Sequence, residues 1–361
     1  MKLILFNTED IVKNLFKSGS YIYQKDSNHI KIQNKIGRNT KFEFLLKIKI
    51  KPSTLGLIVG EGYIGDRQFV FANSNEVAIK QVIEFLAQFN IILDFLLEIS
   101  TKNVHPGFIE KSKKQWEEIV HQNIKNIRKR EEFNNTTNKG TLHIRFYNSC
   151  FAKVLKIIIE KSKQIVESDE NLSKEYIKGL IAAEGNIDVK KTTGCLYMVR
   201  ISAKEEAQRE QYKRCLEKVK FKIYCKDMET VTKEDGTKRG WKTVHGRGGC
   251  VIISRWENFV KIILNNMLVI CPDKKQKFLF GFMNNLFTRN FLYFSRYLNS
   301  YFTLNDVKKD MNLSRKPTGR ILTLIKQGYI KRDESKMPYK HYLTKKYKQL
   351  YNKIIKECPI A

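Results

Sequence analysis

Two short apolar segments of this sequence share one pattern of small residues, and this pattern constrains the fold more than any other feature. The first reads TLGLIVGEG (54–62) and the second reads IKGLIAAEG (177–185). Each segment carries two small residues four positions apart, which places them on one face of a helix. These residues are Gly56 and Gly60 in the first segment and Gly179 and Ala183 in the second. Small residues at this spacing let two helix backbones approach closely, so we predict two helices that pack through these faces.

Each segment also ends on a glutamate, Glu61 or Glu184, followed by a glycine. A carboxylate at a helix C-terminus faces the negative end of the helix dipole and costs roughly 0.3–1 kcal/mol. If the helices pack as predicted, the two carboxylates converge and repel each other unless a cation lies between them. Mg²⁺ takes oxygen ligands and binds readily where phosphate completes its shell. We therefore expect both glutamates to bind Mg²⁺, and Gly62 and Gly185 to turn the chain into a strand at positive φ.

The order of predicted elements repeats after the two segments. After the first helix (53–61) come a hairpin, a helix over 76–89, strand patterns at 92–100 and 141–149 separated by a polar, basic stretch, and a closing helix. The second copy opens with a helix at Ser173 and follows the same order, with one strand predicted over FKIYCKDMETV (221–231). Two similar blocks of about 120 residues favour an α+β core with pseudo-twofold symmetry.

The last part of the chain, from about residue 288, follows a different pattern. Thr303 is placed to cap a short helix, RKPTGRILTLIKQ (315–327) reads as a basic helix that stops at Gly328, and YIKRDESKMPYKHYLT (329–344) reads as a two-stranded wing. This order is typical of a winged helix-turn-helix. We predict that residues 288–361 form such a domain and contact DNA.

Charge indicates a polyanionic partner for the whole chain. Lys and Arg number 67 against 37 Asp and Glu, for a formal net charge of +30, which points to nucleic acid. The apolar stretch IILDFLLEI (91–99) is far shorter than the ~20 residues of a membrane span, and the N-terminus has no signal-peptide core. The seven cysteines form no CxxC pair, which argues against zinc or disulfides. We expect an intracellular protein that is not secreted, has no membrane partner and acts where the host DNA is.

Both segments resemble the LAGLIDADG motif of homing endonucleases, in the two-motif, single-chain form. The residues that match are Gly56, Leu57, Ile58, Gly60, Glu61 and Gly62 in the first copy, and Gly179, Leu180, Ile181, Ala183, Glu184 and Gly185 in the second. Val59 and Ala182 stand where the motif has its first acid, a departure that the family tolerates. The resemblance extends over roughly residues 45–287.

This resemblance implies a fold and a set of domains. The fold is α+β: a pseudo-twofold pair of αββαββα LAGLIDADG domains, with saddle-shaped antiparallel sheets that sit in the DNA major groove, plus the C-terminal winged helix. The expected boundaries are an N-terminal extension at 1–45, a first domain at 46–168, a second domain at 169–287 and the winged helix at 288–361.

The resemblance also implies a sequence-specific double-stranded DNA endonuclease that acts as a monomer. Such an enzyme hydrolyses a phosphodiester bond on each strand, leaves short 3′ overhangs and promotes the mobility of an intron or intein. Glu61 and Glu184 would be the metal ligands for two or three Mg²⁺ ions, with the carbonyls of Gly60 and Ala183 as further ligands. Polar side chains near each scissile phosphate would be Lys204 and either Asn73 or Asn75.

Basic residues that alternate along the hairpins are the candidates for DNA contact. In the core they are Arg67, Lys190, Lys191, Arg200, Lys222, Lys226, Arg239, Lys242 and Arg247, and in the winged helix they are Arg315, Lys316 and Arg320. The alternative for each is a solvated surface charge.

Two other interpretations of the chain stay open. One is a LAGLIDADG-type RNA maturase or a non-cleaving DNA-binding regulator, for which RNA or DNA is the partner. The other is that both helices are ordinary core and the glutamates are exposed caps. A binder has no reason to keep two carboxylates at juxtaposed helix ends, so their presence favours cleavage.

Overall fold

The computed structural model describes residues 3–16, 21–25, 28–34, 42–45, 47–100, 106–130, 140–227, 229–232, 238–242 and 249–358. Within these ranges helices and antiparallel sheets both contribute to the core. The predicted α+β class is therefore confirmed.

The helices of the described residues follow in chain order. They are α1 Thr8–Phe16, α2 Pro52–Glu61, α3 Glu76–Leu86, α4 Pro106–Val120, α5 Ser149–Ser168, α6 Glu170–Glu184, α7 Glu206–Lys218, α8 Trp256–Leu264, α9 Pro272–Asn284, α10 Leu286–Tyr293, α11 Leu304–Asp310, α12 Thr318–Lys326 and α13 Lys345–Glu357. A 3₁₀ turn at Phe294–Tyr297 follows α10.

The strands are numbered in the same way. They are β1 Ile4–Asn7, β2 Tyr21–Lys25, β3 His29–Asn34, β4 Phe42–Leu45, β5 Lys47–Ile50, β6 Gly62–Ile64, β7 Gln68–Asn73, β8 Asp94–Ser100, β9 Asn126–Arg130, β10 Thr141–Tyr147, β11 Gly185–Val189, β12 Leu196–Ala203, β13 Ile223–Asp227, β14 Glu229–Thr232, β15 Lys238–Lys242, β16 Gly249–Ile253, β17 Ile330–Asp333 and β18 Lys340–Leu343.

Two compact units make up the chain. Unit 1 contains residues 1–186, 199–253 and 267–274, and unit 2 contains residues 187–198, 254–266 and 275–361. Unit 1 therefore holds both motif helices, α2 and α6, and unit 2 holds the C-terminal elements. The four domain boundaries expected from the sequence stay a prediction.

The first sheet of unit 1 has the strand order β6-β7-β10-β8-β9. Alternate residues of its central strands are buried, among them Phe69 and Phe71 of β7 and Leu142 and Ile144 of β10. Phe69 stacks edge-on against Phe151 of α5, with 6.1 Å between the ring centroids. One face of the sheet therefore packs on helices. By the two-residue period of a strand, the other face carries the intervening residues, most of which are partly exposed.

The polar, basic stretch between the strand patterns of the first block forms elements that the sequence did not predict. Residues 106–120 form α4, and residues 126–130 form β9, which pairs in parallel with β8 at the end of the sheet. Every residue of β9 is exposed. The strand escaped prediction because NIRKR has no apolar alternation and its partner strand lies about 30 residues earlier in the chain.

The second sheet has the order β11-β12-β16-β13. The segment FKIYCKDMETV, predicted as one strand, contributes β13 and β14: β13 joins this sheet through β16, whereas β14 pairs with β15 in a two-stranded sheet. β14 exchanges its hydrogen bonds with β15 rather than with β16.

The segment before the first motif helix also forms structure. Strand β1 pairs with β5, from Ile4 opposite Ile50 to Asn7 opposite Lys47, and β2, β3 and β4 form a three-stranded sheet. Ile11 and Val12 of α1 are completely buried.

Unit 2 is built around an aromatic cluster centred on Trp256. The Trp256 ring lies 5.4 Å from Phe291 and 5.8 Å from Tyr329, measured between centroids, and its indole N–H donates to Thr288 Oγ1 over 3.0 Å. The Tyr347 hydroxyl donates to the Phe291 carbonyl over 2.5 Å. These contacts tie α8, α10 and α13 together.

The C-terminal elements of unit 2 begin with a complete capping box. The Thr303 side chain accepts from the Asp306 N–H, and the Asp306 carboxylate accepts from the Thr303 N–H. Helix α12 follows, Gly328 adopts a φ of +75° after it, and β17 pairs with β18. No helix among the described residues is long and apolar enough to cross a membrane.

Candidate functional site

The two motif helices, α2 and α6, contact each other at their small residues. A Cβ added at Gly179 would lie 1.9 Å from the Ser53 carbonyl oxygen and 2.8 Å from the Leu57 nitrogen. One added at Gly56 would lie 2.3 Å from the Tyr176 carbonyl oxygen. Because these neighbours are backbone atoms of the opposite helix, only glycine fits at this separation.

The C-terminal ends of the two helices converge. A Cβ added at Gly60 would lie 2.5 Å from the Ala183 Cβ and 3.1 Å from the Glu184 Cγ. The structure therefore brings together all four small residues of the predicted interface. It also carries Glu61 and Glu184 to one place, although the two residues are 123 positions apart in the chain.

Neither motif glycine turns the chain at positive φ. Gly62 has φ −75° and Gly185 has φ −70°, so this expectation is wrong. Glycine is needed there for space instead: a Cβ would lie 2.3 Å from the Ile58 carbonyl oxygen in the first copy and 2.3 Å from the Ile181 carbonyl oxygen in the second. Each carbonyl accepts the N–H of its glycine as the helix ends.

Helix α6 begins earlier than Ser173, the predicted first residue. The Asp169 side chain accepts from the N–H groups of Asn171 and Leu172 and so caps the helix. Ser173 is fully buried and donates through its hydroxyl to the Val166 carbonyl over 2.6 Å. An aspartate four residues upstream of the predicted start thus supplies the N-cap of α6.

Asn73 lies at the acid pair. Its amide Nδ2 donates to Glu61 Oε2, and its Oδ1 accepts from the Asn75 N–H over 2.7 Å. The side chain of Asn75 has another role, because its Oδ1 caps α3 and its Nδ2 donates to the Ile270 carbonyl over 2.8 Å. Of the two asparagines considered from the sequence, Asn73 is the one that contacts the carboxylate.

The two carboxyl groups are hard to ionise where they lie. Burial raises the pKa of Glu61 to about 7, an effect opposed by Lys274 and the Asn73 amide and increased by the charge of Glu184. Burial also raises the pKa of Glu184, opposed by Lys204 and Lys274. Desolvation disfavours the charged form of a carboxylate, so the pair favours a cation or a proton close by.

Lys274 is a site residue that the sequence interpretation missed. Its ammonium donates to the carbonyls of Ile181, Ala182 and Ala183 over 3.0, 2.6 and 3.0 Å. It belongs to the first turn of α9, about 90 residues beyond α6, and KK in CPDKKQKF gave no signal beyond a charged helix start. The predicted Lys204 is exposed and acts on both carboxylates through its charge.

The donor set fits Mg²⁺ in part. Two carboxylates of raised pKa on converging helix ends are the oxygen ligands that this ion prefers. The Ala183 carbonyl, predicted as a further ligand, instead accepts from Lys274, and the Gly60 carbonyl stays a predicted ligand. Among the described residues no group of three or more His, Cys, Asp or Glu side chains could hold a metal ion.

Three predicted DNA-contact residues of the second sheet share one face. Arg200 of β12 and Tyr224 of β13 both lie opposite Ile252 of β16, and paired residues of antiparallel strands point to the same side. Lys226 follows two positions after Tyr224, and both are exposed. Exposed Lys222 lies just before β13, two positions before Tyr224, and so continues the same alternation of side chains. The strand period therefore places Arg200 and Lys226, with Tyr224, on a common surface.

The remaining candidates lie in turns, in α12 or where no side chain is described. Exposed Arg67 lies in the turn between β6 and β7, and Lys190 and Lys191 follow β11, where the Lys190 ammonium lies 5.4 Å from the centre of the Tyr197 ring. Arg239 and Lys242 belong to β15, and Arg247 lies outside the described residues. In unit 2, exposed Arg315 and Lys316 precede α12, and Arg320 of α12 donates to Asn290 Oδ1 over 3.3 Å.

One family model matches part of the chain. Residues 171–265 match a LAGLIDADG-like domain, so a domain of this kind is confirmed for the second motif and the block that follows it. The crystal structure of full-length DUF199/WhiA from Thermatoga maritima is similar at 12% sequence identity and a TM-score of 0.32, over 85% of this chain and 90% of that chain. No curated protein matches the sequence.

Proposed function

We propose that this chain is a sequence-specific, metal-dependent DNA endonuclease that cuts both strands of its target. The observation that carries the proposal is the convergence of Glu61 and Glu184 at the ends of two helices held together by glycine contacts. Carboxylates with strongly perturbed pKa values cluster at functional sites, which makes this pair a candidate for the reaction. A divalent metal bound there would supply a water nucleophile and neutralise charge on the phosphate.

The residues around the acids have distinct parts in this proposal. The Asn73 amide donates to Glu61 and fixes the orientation of that carboxylate, and the N–H of Asn75 holds Asn73 in turn. Lys204 is exposed yet close enough to act on both carboxylates. Its ammonium is therefore placed to bind a phosphate oxygen of DNA that approaches the helix ends.

Double-stranded DNA is the partner that fits the charge of the chain. The net charge is +30, and one face of the second sheet carries partly exposed Arg200 and exposed Lys226 beside Tyr224. An antiparallel sheet with exposed basic side chains can enter the major groove, where base edges are distinguishable. In this proposal blocks 46–168 and 169–287 form a pseudo-twofold pair of αββαββα domains, and one chain covers both half-sites as a monomer.

The C-terminal elements are proposed as a winged helix-turn-helix that adds DNA contacts. Helix α11, helix α12 and the β17–β18 pair follow in the order of that motif. Arg315 and Lys316 are exposed directly before α12, where the first turn of a recognition helix approaches DNA. This part would extend the bound site beyond the sheets.

A second candidate, a DNA-binding protein that does not cleave, is favoured by Lys274. Its ammonium brings a positive charge to both carboxylates, so the acid pair is partly neutralised without a metal. In that case the pair would serve the helix interface rather than a reaction.

Cleavage of a DNA library in Mg²⁺ or Mn²⁺ distinguishes the two candidates. We expect the wild-type chain to cut rare sites, and Glu61→Gln or Glu184→Gln to abolish double-strand cleavage while DNA binding, measured by fluorescence anisotropy, is kept. Glu118→Gln, which changes an exposed glutamate of α4, is the matched control and should cut normally. Binding without cleavage by the wild-type chain would favour the second candidate. Wild-type cleavage rates in both variants would show that the glutamates take no part in the reaction.

A further inference from the structure

The C-terminus of α6 is capped by a charged side chain that comes from a distant part of unit 1. An ammonium has three N–H groups, and Lys274 directs them to three successive carbonyls, those of Ile181, Ala182 and Ala183. The last four carbonyls of a helix have no partner within it, and a cation there also opposes the helix dipole. Lys274 therefore satisfies the helix end that carries Glu184.

The corresponding end of α2 is capped differently. Val59 and Ala182 occupy the same position of the motif, two residues before the glutamate. The Val59 carbonyl accepts from the Gln208 amide Nε2 over 3.1 Å, whereas the Ala182 carbonyl accepts from the Lys274 ammonium over 2.6 Å. One helix end thus has a neutral cap and the other a charged cap. A neutral amide is sufficient to cap such a carbonyl, so the charge of Lys274 needs a further explanation.

The charges around the helix ends supply that explanation. Glu61 and Glu184 bring two negative charges, and Lys204 and Lys274 are the cations that act on both carboxylates. Lys204 is exposed and screened by water, whereas Lys274 is only partly exposed, and charges interact more strongly away from water. Lys274 is therefore the stronger counter-charge at Glu61, whereas Lys204 has the larger effect at Glu184.

We propose that the Lys274 ammonium is a resident cation of the acid pair, which holds the two helix ends together without metal and lowers the affinity of the pair for divalent ions. The inference rests on the proposed function only in taking the glutamates as metal ligands. Lys274 is a positioning residue in this role, since its ammonium donates to backbone carbonyls and not to a substrate. Among the described residues the two halves of the site are consequently unequal, because α6 has a charged cap and α2 a neutral one.

Mn²⁺ binding to the full chain tests this inference without any cleavage measurement. Lys274→Gln keeps N–H donors for the carbonyls, as Gln208 does for α2, and removes the charge. Lys277→Gln removes an exposed charge from the same helix and is the matched control. Electron paramagnetic resonance of free Mn²⁺ measures the binding. We expect Lys274→Gln to bind Mn²⁺ about tenfold more tightly than wild type, or better, because removal of a nearby unit positive charge raises the affinity for a cation by at least about tenfold.

Three further measurements make the result specific. Lys277→Gln should bind Mn²⁺ as the wild-type chain does, and the affinity gained by Lys274→Gln should be lost when Glu184→Gln is added. Lys274→Arg keeps the charge and should retain the wild-type affinity for Mn²⁺. This variant tests the role of the charge even if circular dichroism shows that Lys274→Gln is unfolded.

The inference is overturned if Lys274→Gln binds Mn²⁺ no better than wild type, including the case in which neither binds. It is also overturned if Lys277→Gln raises the Mn²⁺ affinity as much as Lys274→Gln does, or if the higher affinity of Lys274→Gln persists when Glu184→Gln is added. A Lys274→Arg variant that binds Mn²⁺ more tightly than wild type would overturn it as well. A chain that never cuts DNA can still show the predicted gain. A chain that cuts DNA can fail to show it, so failure of this inference and failure of the proposed endonuclease are separate results.

Discussion

The helix interface can be tested with a single methyl group at Gly179. In Gly179→Ala the new Cβ would lie 1.9 Å from the Ser53 carbonyl oxygen and 2.8 Å from the Leu57 nitrogen. Ordinary contact begins at 3.4 Å, so α2 and α6 must separate by about 1.5 Å, the difference between 3.4 and 1.9 Å. The neighbours are backbone atoms, and no side-chain rotation can relieve the contact.

The expected loss of stability follows from two opposing effects. Replacing a helical glycine by alanine favours the helix by about 1 kcal/mol. Overpacking a rigid contact typically costs 1–3 kcal/mol and occasionally more, and a clash of this depth with backbone belongs at the upper end. We therefore expect Gly179→Ala to lower the free energy of unfolding by about 2 kcal/mol. Displacement of Glu184 from Glu61 should also reduce any cleavage, by about 100-fold for an error of 1 Å.

Urea unfolding followed by circular dichroism at 222 nm measures the effect, with Gly107→Ala as the control. Gly107 lies near the start of α4, and a Cβ there meets nothing within 4 Å. The same change of residue should therefore leave stability unchanged or raise it by up to about 1 kcal/mol. If Gly179→Ala were as stable as Gly107→Ala, the close packing of α2 on α6 would be refuted.

Two further predictions concern pH and salt. Because burial raises the pKa of Glu61 from 4.5 to about 7, the folded chain holds this proton more tightly than the unfolded one and loses stability as the pH rises from about 4.5 through about 7. In chelator-containing buffer the free energy of unfolding of Glu61→Gln should thus exceed that of wild type at pH 8, by at most about 3 kcal/mol for 2.5 pKa units. At pH 4 the two proteins should be equally stable. A difference in unfolding free energy that stays the same at both pH values would contradict the raised pKa of Glu61. On β9, Arg128 and Arg130 are exposed and lie on one side of the strand. We expect both to bind DNA phosphates, so their joint change to alanine should lower the log–log salt slope of DNA binding by up to about 1.8, at about 0.9 for each phosphate contact. Lys129→Ala, on the other face of the strand, should leave the slope unchanged, and equal effects of the two variants would show a general charge effect.

Local patterns in the sequence identified the helices that form the site. The spacing of Gly56, Gly60, Gly179 and Ala183 was enough to identify two helices and the faces through which they contact, because a four-residue spacing is a property of the helix itself. The capping box at Thr303 was equally local, since both of its hydrogen bonds lie within four residues. The predicted first helix, 53–61, differs from α2 by one residue at its start.

Features that depend on distant partners were missed or mistaken. Strand β9 exists because its backbone pairs with β8, and its sequence carries no apolar alternation. Lys274 became a site residue only because the fold carries the first turn of α9 to the end of α6. The error at Gly62 has another origin: glycine at a helix end can serve either a positive φ or a lack of space for Cβ, and the sequence does not distinguish them.

The acid pair and its lysine connect the fold to the proposed chemistry. Glycine contacts let α2 and α6 approach each other closely, and this close approach brings Glu61 and Glu184 together. Two carboxylates so placed would weaken the interface, and the charged cap at Ala182 opposes this repulsion from within the chain. A metal that arrived with DNA would then add to a site already partly neutralised. The glutamates would bind the ion weakly in free protein and more tightly when phosphate oxygens complete its shell, which links metal binding to the presence of DNA.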